Sequence, residues 1–389
     1  MSPFESTDDQ SGGVARKPVN MCHNDKGSPR LRSVAFYLPQ YHRIPENDAW
    51  WGEGFTDWVN VRRARPRFAG HGQPDLPTVL GFYDLMDPGI REAQAELARR
   101  YSIDAFCYYH YWFGGRRLLH SPLDEMLRSG KPEFPFCLCW ANEPWTGSWD
   151  GGAGGVLIDQ SYSEADDRRH GQWLAQVFAD PRYLRIDGRP VMLVYRASHH
   201  PDIARALRLW AEEVVSAGLP SPFCCRVESF SDECGDPRPL GFDAAVAFRA
   251  GNRRIRGITV QAVLAAVWKS FGRSPDHFRF DYRRAVRHAL REAVPSYPRF
   301  PCVMPGWDNT PRRASDAVVV HDADPDTYGT WVREEGRKAL AARSGETLLF
   351  VNAWNEWAEG AHLEPGERFG MAFLEAHREA MLPFGEERC

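Results

Sequence analysis

Long apolar runs are missing from this 389-residue sequence: none approaches the roughly 18 consecutive apolar residues of a membrane-spanning helix, so no span is expected. An excess of basic charge is missing as well. Lys and Arg number 48 against 52 Asp and Glu, a formal net charge of -4, which excludes the basic footprint of a nucleic-acid-binding protein. The start, MSPFESTDDQSGG, has neither the basic region nor the apolar core of a secretory signal, and the cytoplasm is the expected compartment. Nine Cys, an odd count without zinc spacing, argue against a disulfide framework and for reduced thiols in the core. HExxH, a Walker loop and GxSxG do not occur, and the glycines of GGAGG at 151–155 lack the order of a dinucleotide fingerprint. The histidines are scattered, so neither metal nor cofactor is expected. No internal repeat at 20–50 residues is visible.

Aromatic residues, by contrast, are plentiful. Fourteen Trp, thirteen Tyr and twenty-two Phe make 13% of the chain, and they gather around short motifs carrying Asp, Glu, Asn and His. A packed core accounts for any single one of them. Clusters of this kind also suit carbohydrate, because sugar rings present apolar C–H faces that stack on aromatic planes. An oligosaccharide or polysaccharide is the expected partner.

Residues 1–30, rich in Ser, Asp, Gly, Pro and Lys, read as a disordered leader ahead of one catalytic domain over 31–385. Eight short apolar runs follow, at 33–41, 103–113, 134–145, 190–197, 222–229, 242–248, 300–309 and 347–357. Several are near-continuously apolar, as parallel strands covered on both faces should be. Helical patterns lie between them. Asp87 and Pro88 open one helix with a cap and a first-turn proline. Ile203, Leu207, Trp210 and Val214 recur at helical spacing in another, which Gly218 ends. Further helices are expected near 164–178, 259–270, 278–292, 327–343 and 369–381. Strands interleaved with helices in this way predict a closed (β/α)8 barrel, ahead of a doubly wound open sheet.

Barrel active sites form at the C-terminal ends of the strands, and polar and aromatic residues concentrate at five of the eight expected ends. The first end carries Tyr37, Gln40, Tyr41 and His42; the second Tyr109, His110, Tyr111 and Trp112; the third Trp140, Asn142, Glu143 and Trp145. The seventh carries Trp307, Asp308 and Asn309, and the eighth Trp354, Asn355, Glu356, Trp357 and Glu359. The sharpest motif is WNEWAEGAHLEP at 354–365, two carboxylates three residues apart between tryptophans, with Gly360 permitting a turn. Glycoside cleavage needs one carboxyl to protonate the leaving oxygen and another to support attack at the sugar. Burial beside indole rings raises one pKa, and mutual repulsion separates the two. A solvated acidic loop is the plainer alternative. Glu143, in WANEPW, either binds substrate or braces loop amides. Glu53 and Asp57, near Trp58 in WWGEGFTDWVNV, either bind sugar hydroxyls or anchor the first loop. Glu364 reads as a supporting or structural residue, and Asp308 as a pocket or loop residue.

Together AFYLPQYH, WGEGFTDW, FCYYHYWF, WANEPW and NEWAEG resemble the WbsX-type proteins of bacterial polysaccharide clusters, over residues 33–383. These are in turn similar to glycoside hydrolase family 99, the endo-acting α-mannosidases and α-mannanases. The resemblance implies that Glu356 acts on the sugar 2-hydroxyl and that Glu359 is the general acid and later the base. It also implies a 1,2-anhydro sugar in place of a glycosyl-enzyme, one of the exceptions among retaining enzymes. Tyr37 matches a pocket aromatic of that family's first strand. The sequence departs at Leu38 and Gln40, where those hydrolases show YPWY, which leaves the mannose specificity open. WbsX-type proteins are often labelled glycosyltransferases. A glycosidase or transglycosidase is therefore the first expectation, with a transferase of polysaccharide or O-antigen biosynthesis and an inactive sugar-binding protein as alternatives.

Overall fold

The eight apolar runs are the eight strands of a closed barrel. In the computed structural model they are β1 (Arg30–Tyr37), β2 (Ala105–Phe113), β3 (Phe136–Trp140), β4 (Arg189–Val194), β5 (Phe223–Val227), β6 (Ala244–Ala247), β7 (Arg299–Val303) and β8 (Glu346–Val351). Each pairs in parallel with the next, and β8 pairs back onto β1, where Val34 faces Phe350 on one side and Ala105 on the other. The structure describes residues 30–147, 155–249, 277–313, 317–342 and 345–385. Nearly all of the expected leader, the expected helix near 259–270 and most of GGAGG lie outside the described residues.

Helices cover the barrel as α1 (Pro88–Arg100), α2 (Ser121–Ser129), α3 (Glu164–Phe178), α4 (Ile203–Ser216), α5 (Tyr282–Leu290), α6 (Pro325–Ala342) and α7 (Ala372–Met381). Their starts are written in the sequence. The side chains of Asp87, Ser163, Asp202 and Asp281 accept from first-turn amides of α1, α3, α4 and α5, satisfying donors that have no partner within the helix. Gly171 lets α3 and α4 touch, since a Cβ there would stand 3.0 Å from the Trp210 backbone. One helix is shorter than expected. Residues 278–281 form a strand paired with Ala317–His321, and only after Asp281 does the chain turn helical. The β-branched partner AVVVH draws these residues into a ladder ahead of the cap.

Both faces of the barrel strands are buried; all nine residues of β2 are. Side chains alternate between the barrel interior and the helix layer. Phe36 points inward, where its ring meets Tyr109, Phe248 and Phe350 at centroid distances of 5.5, 5.1 and 5.6 Å. This aromatic layer floors the C-terminal mouth. All seven described cysteines are free.

Candidate active site

After β8 the chain makes a tight hairpin, Asn355–Glu356 against Ala361–His362, closed by the single helical turn Trp357–Glu359. Three residues fix it. Asn355 donates to and accepts from the backbone of Leu38, at 3.1 and 2.7 Å. The Tyr41 hydroxyl donates to the Asn355 carbonyl and accepts from the Trp357 amide. Glu364 lies buried and accepts from Trp357 Nε1, Tyr83 and Gln94 at 2.7, 2.8 and 2.7 Å. Gly360 closes the turn at φ +56°, and a Cβ there would meet Asp308 at 2.9 Å, so only glycine fits. With its neighbours tied down, the hairpin presents Glu356 and Glu359 to the barrel mouth.

The two carboxyls stand close enough for the charge of Glu359 to act on Glu356. Glu359 also forms an ion pair with Arg312, Nη1 to Oε1 at 2.7 Å, while the same guanidinium reaches Asp57 at 2.7 and 3.3 Å. Glu356 is 5% exposed. Burial first, and then the charge of Glu359, holds its carboxyl well above the ordinary range, against the pull of Arg312. Its proton is therefore held more firmly than that of an ordinary carboxyl. Around it stand Tyr109 and Tyr111 from β2, both in the field of Glu356, and Tyr195 after β4, in the field of Glu356, Glu359 and Glu143. Glu143 is ion-paired to Arg196 at 3.3 Å. Trp145 stands edge-on to Tyr111 at 5.1 Å. This is a dense acid–base cluster on an aromatic floor.

Several residues expected at the mouth lie elsewhere. Tyr37 points outward, wholly buried, its hydroxyl donating to Gln94 of α1 at 2.7 Å. His110 also turns to the helix layer, stacked on Trp173 at 4.4 Å and 3.1 Å from His170. Trp140 is packed between Trp210 and His170. Asn142 braces β3 to β4, accepting from the Arg196 amide and donating to its carbonyl. Trp354 packs on Phe106, and Trp58 between Tyr41 and Tyr83. Trp357 stacks on His362 at 3.7 Å. The side chain of Glu53 is 92% exposed, 3.8 Å from Arg43. Asp308 accepts from Gln73 and Thr310 and lies 2.8 Å from His71, and Trp307 pairs with Val320 in the small sheet beside it. Tyr41 and Asp57 are buried supports. Of the expected set, Glu356, Glu359, Glu143, Tyr109, Tyr111 and Trp145 converge.

The family profile described as "Glycosyltransferase WbsX" matches residues 33–377. The chain belongs to the WbsX family. Two Xanthomonas campestris pv. campestris proteins named WxcX, of strains B100 and ATCC 33913 and themselves uncharacterised, are 43% identical to this WbsX-family chain over 351 residues. The match takes in 90% of this chain and 49% of theirs, so the chain spans about half the length of the curated relatives it matches. Among solved structures, the GH99 endo-α-mannosidase from Bacteroides thetaiotaomicron is similar at a TM-score of 0.54, 16% identical, covering 91% of this chain and 97% of that one. A structure named "Glycoside hydrolase-like protein" is similar at 0.56, 12% identical, covering 91% and 95%. At these identities the likeness is one of fold, the (β/α)8 barrel of glycoside hydrolases. Family membership and the barrel thus stand together, the one labelled a transferase and the other shared with hydrolases.

Two members of the WbsX-family cluster carry no sequence signal: Arg312, in a plain PRR loop, and Tyr195, in the apolar run of β4. Arg312 is 255 residues from its partner Asp57. Only the closed barrel brings them together.

Proposed function

We propose that this chain cleaves or transfers α-glycosidic bonds, mannosidic ones among them, of a bacterial surface polysaccharide, with Glu356 and Glu359 as its acid–base pair. The observation that carries this reading is the hairpin after β8, which sets the buried Glu356 near Glu359 and its partner Arg312, with Tyr109 and Tyr111 close by. In the first step the sugar O2 bonds to C1 as the bond from C1 to the leaving oxygen breaks. One carboxylate takes the O2 proton while the other carboxyl gives its proton to the leaving oxygen. Water, or another sugar hydroxyl, then opens the small ring at C1; its proton passes to the second carboxylate, and O2 regains its own.

The resemblance makes Glu356 the base and Glu359 the acid. Burial holds the carboxyl of Glu356 above the ordinary range, so as the base it must give up a firmly held proton when substrate arrives. Incubation with a panel of aryl α-glycosides and α-linked oligosaccharides, products read by mass spectrometry, tests the reading. Product from the wild type and a loss of about 10²–10⁴-fold in Glu356→Gln and Glu359→Gln support it; no product from any donor sinks it. The family's transferase label favours a second reading, glycosyl transfer from a nucleotide sugar.

A further inference from the structure

Helix α5 has two unlike faces. Tyr282, Val286 and Ala289 are buried; the Tyr282 hydroxyl donates to the Met304 carbonyl after β7, and its ring stands 6.3 Å from that of Trp331 in α6. Arg284, Arg287, His288 and Arg291 are exposed. At spacings of three and four residues they share one side of the helix and its end, over about 10 Å. Among the described residues these four alone line an open groove of about 310 Å³. Arg283 is paired with Asp324 at 3.1 Å, but Arg284, Arg287 and Arg291 have no carboxylate partner among the described residues. Residues 277–299 hold six Arg against Asp281 and Glu292, in a chain of formal net charge -4. Asp281 caps the helix at the Arg284 amide, and Glu292 is engaged by Arg249 and Arg299. Like charges at these spacings repel and weaken a helix, so an anion laid across the row relieves it.

We propose that this face of α5 docks the protein on a bilayer surface rich in acidic phospholipid. Guanidiniums offer donors and no acceptor, and no aromatic ring borders the groove among the described residues. A sugar, whose hydroxyls both donate and accept and whose faces stack on rings, finds little here. Phosphate oxygens, charged and accepting only, match the row. The cations stand on the outside of the helix layer, spread over two turns, and reach several headgroups at once. Val294, three residues beyond Arg291, is 60% exposed and adds an apolar contact suited to a bilayer. Nucleic-acid binding commonly draws on about 6–10 phosphate contacts, more than three unpaired arginines supply. On a charged bilayer, each arginine alone strengthens adsorption about fivefold. Nothing in this docking depends on the glycosidic reading above.

Sedimentation with vesicles of equal parts phosphatidylglycerol and phosphatidylcholine, and of phosphatidylcholine alone, tests it. The wild type should pellet with the mixed vesicles at low salt and stay in solution with the neutral ones. High salt should release it, as screening sets in. Arg284→Gln, Arg287→Gln and Arg291→Gln combined should bind the mixed vesicles about 10²-fold more weakly. Arg284→Lys, Arg287→Lys and Arg291→Lys combined keep the charge and should bind within a few-fold of wild type, both variants being checked for an unchanged thermal midpoint. No pelleting with the mixed vesicles, equal pelleting with the neutral ones, or undiminished binding by the Gln variant overturns the docking. So does a loss in the Lys variant as deep as in the Gln variant. Tighter binding to a DNA duplex or a polyuronate than to the vesicles overturns it in favour of that partner.

Discussion

Arg312 serves two carboxylates at once, Asp57 and Glu359, from a fully buried position. Arg312→Gln would leave the buried Asp57 without this counter-charge and the partly exposed Glu359 without its partner, and breaking a buried pair typically costs about 3–5 kcal/mol. Losing a positive neighbour raises carboxyl pKa values, so the limb of kcat/KM that needs an ionised carboxylate should move to higher pH; an unmoved limb removes Arg312 from the acid–base cluster. Glu356 yields a stability test. Its folded pKa is raised above the unfolded value near 4.3, so below that pH both states are protonated and nothing is lost. As pH rises past it, the unfolded chain releases the proton while the folded chain retains it, and stability falls until the folded pKa is passed. Glu356→Gln escapes the loss, and should unfold at higher temperature than wild type at pH 7, by about 1.4 kcal/mol per unit of raised pKa, with the gap closing toward pH 4. The roles divide on leaving groups. If Glu359 is the acid, Glu359→Gln should spare an activated aryl glycoside relative to a poor leaving group, and Glu356→Gln should harm both. The opposite split in initial rates would assign the acid to Glu356, the carboxyl whose pKa burial raises. NEWAEG made this pair legible in sequence. Arg312 was not, because a loop arginine gains meaning only from a partner across the barrel.

The strands were legible for the same reason that the direction of their side chains was not. Parallel strands buried on both faces read as unbroken apolar runs, which marks their position and hides their parity. Tyr37, His110 and Trp140 were expected at the mouth, yet each lies one residue out of phase with an inward neighbour. Phe36, Tyr109 and Tyr111 point in; the others face α1, α3 and α4. Helix boundaries were clearer, since caps such as Asp87 and Asp202 act locally. Trp140 shows the consequence. Buried against Trp210 and His170, it contributes packing, and Trp140→Ala should cost about 3–5 kcal/mol of stability. The urea midpoint measures this, while KM for any substrate should hold in the folded fraction. An unchanged midpoint with a raised KM would return Trp140 to the pocket.

At the scale of the whole molecule, acids dominate the barrel mouth among the described residues. Glu143, Glu356, Glu359 and Asp57 gather there, and the arginines described beside them are engaged: Arg312 by Asp57 and Glu359, Arg196 by Glu143, Asp232 and Glu233. A nucleoside diphosphate brings at least two negative charges. To bind here it would have to displace carboxylates from those arginines inside a low-dielectric mouth, leaving the carboxylates without partners, and both steps are unfavourable. A neutral sugar meets no such barrier. The family's label and the barrel it shares with hydrolases therefore divide on a measurable quantity, the affinity for donor sugars. Calorimetry with common UDP- and GDP-sugars should show no binding tighter than about millimolar, roughly -4 kcal/mol, whereas micromolar affinity would need some 4 kcal/mol more than an acidic mouth offers. A micromolar donor, with or without added Mn²⁺, would make the transferase the better reading and reduce the carboxylate pair to acceptor activation. The chain spans about half the length of WxcX, so the same titration on the longer relative shows whether donor binding belongs to the half that this barrel does not match.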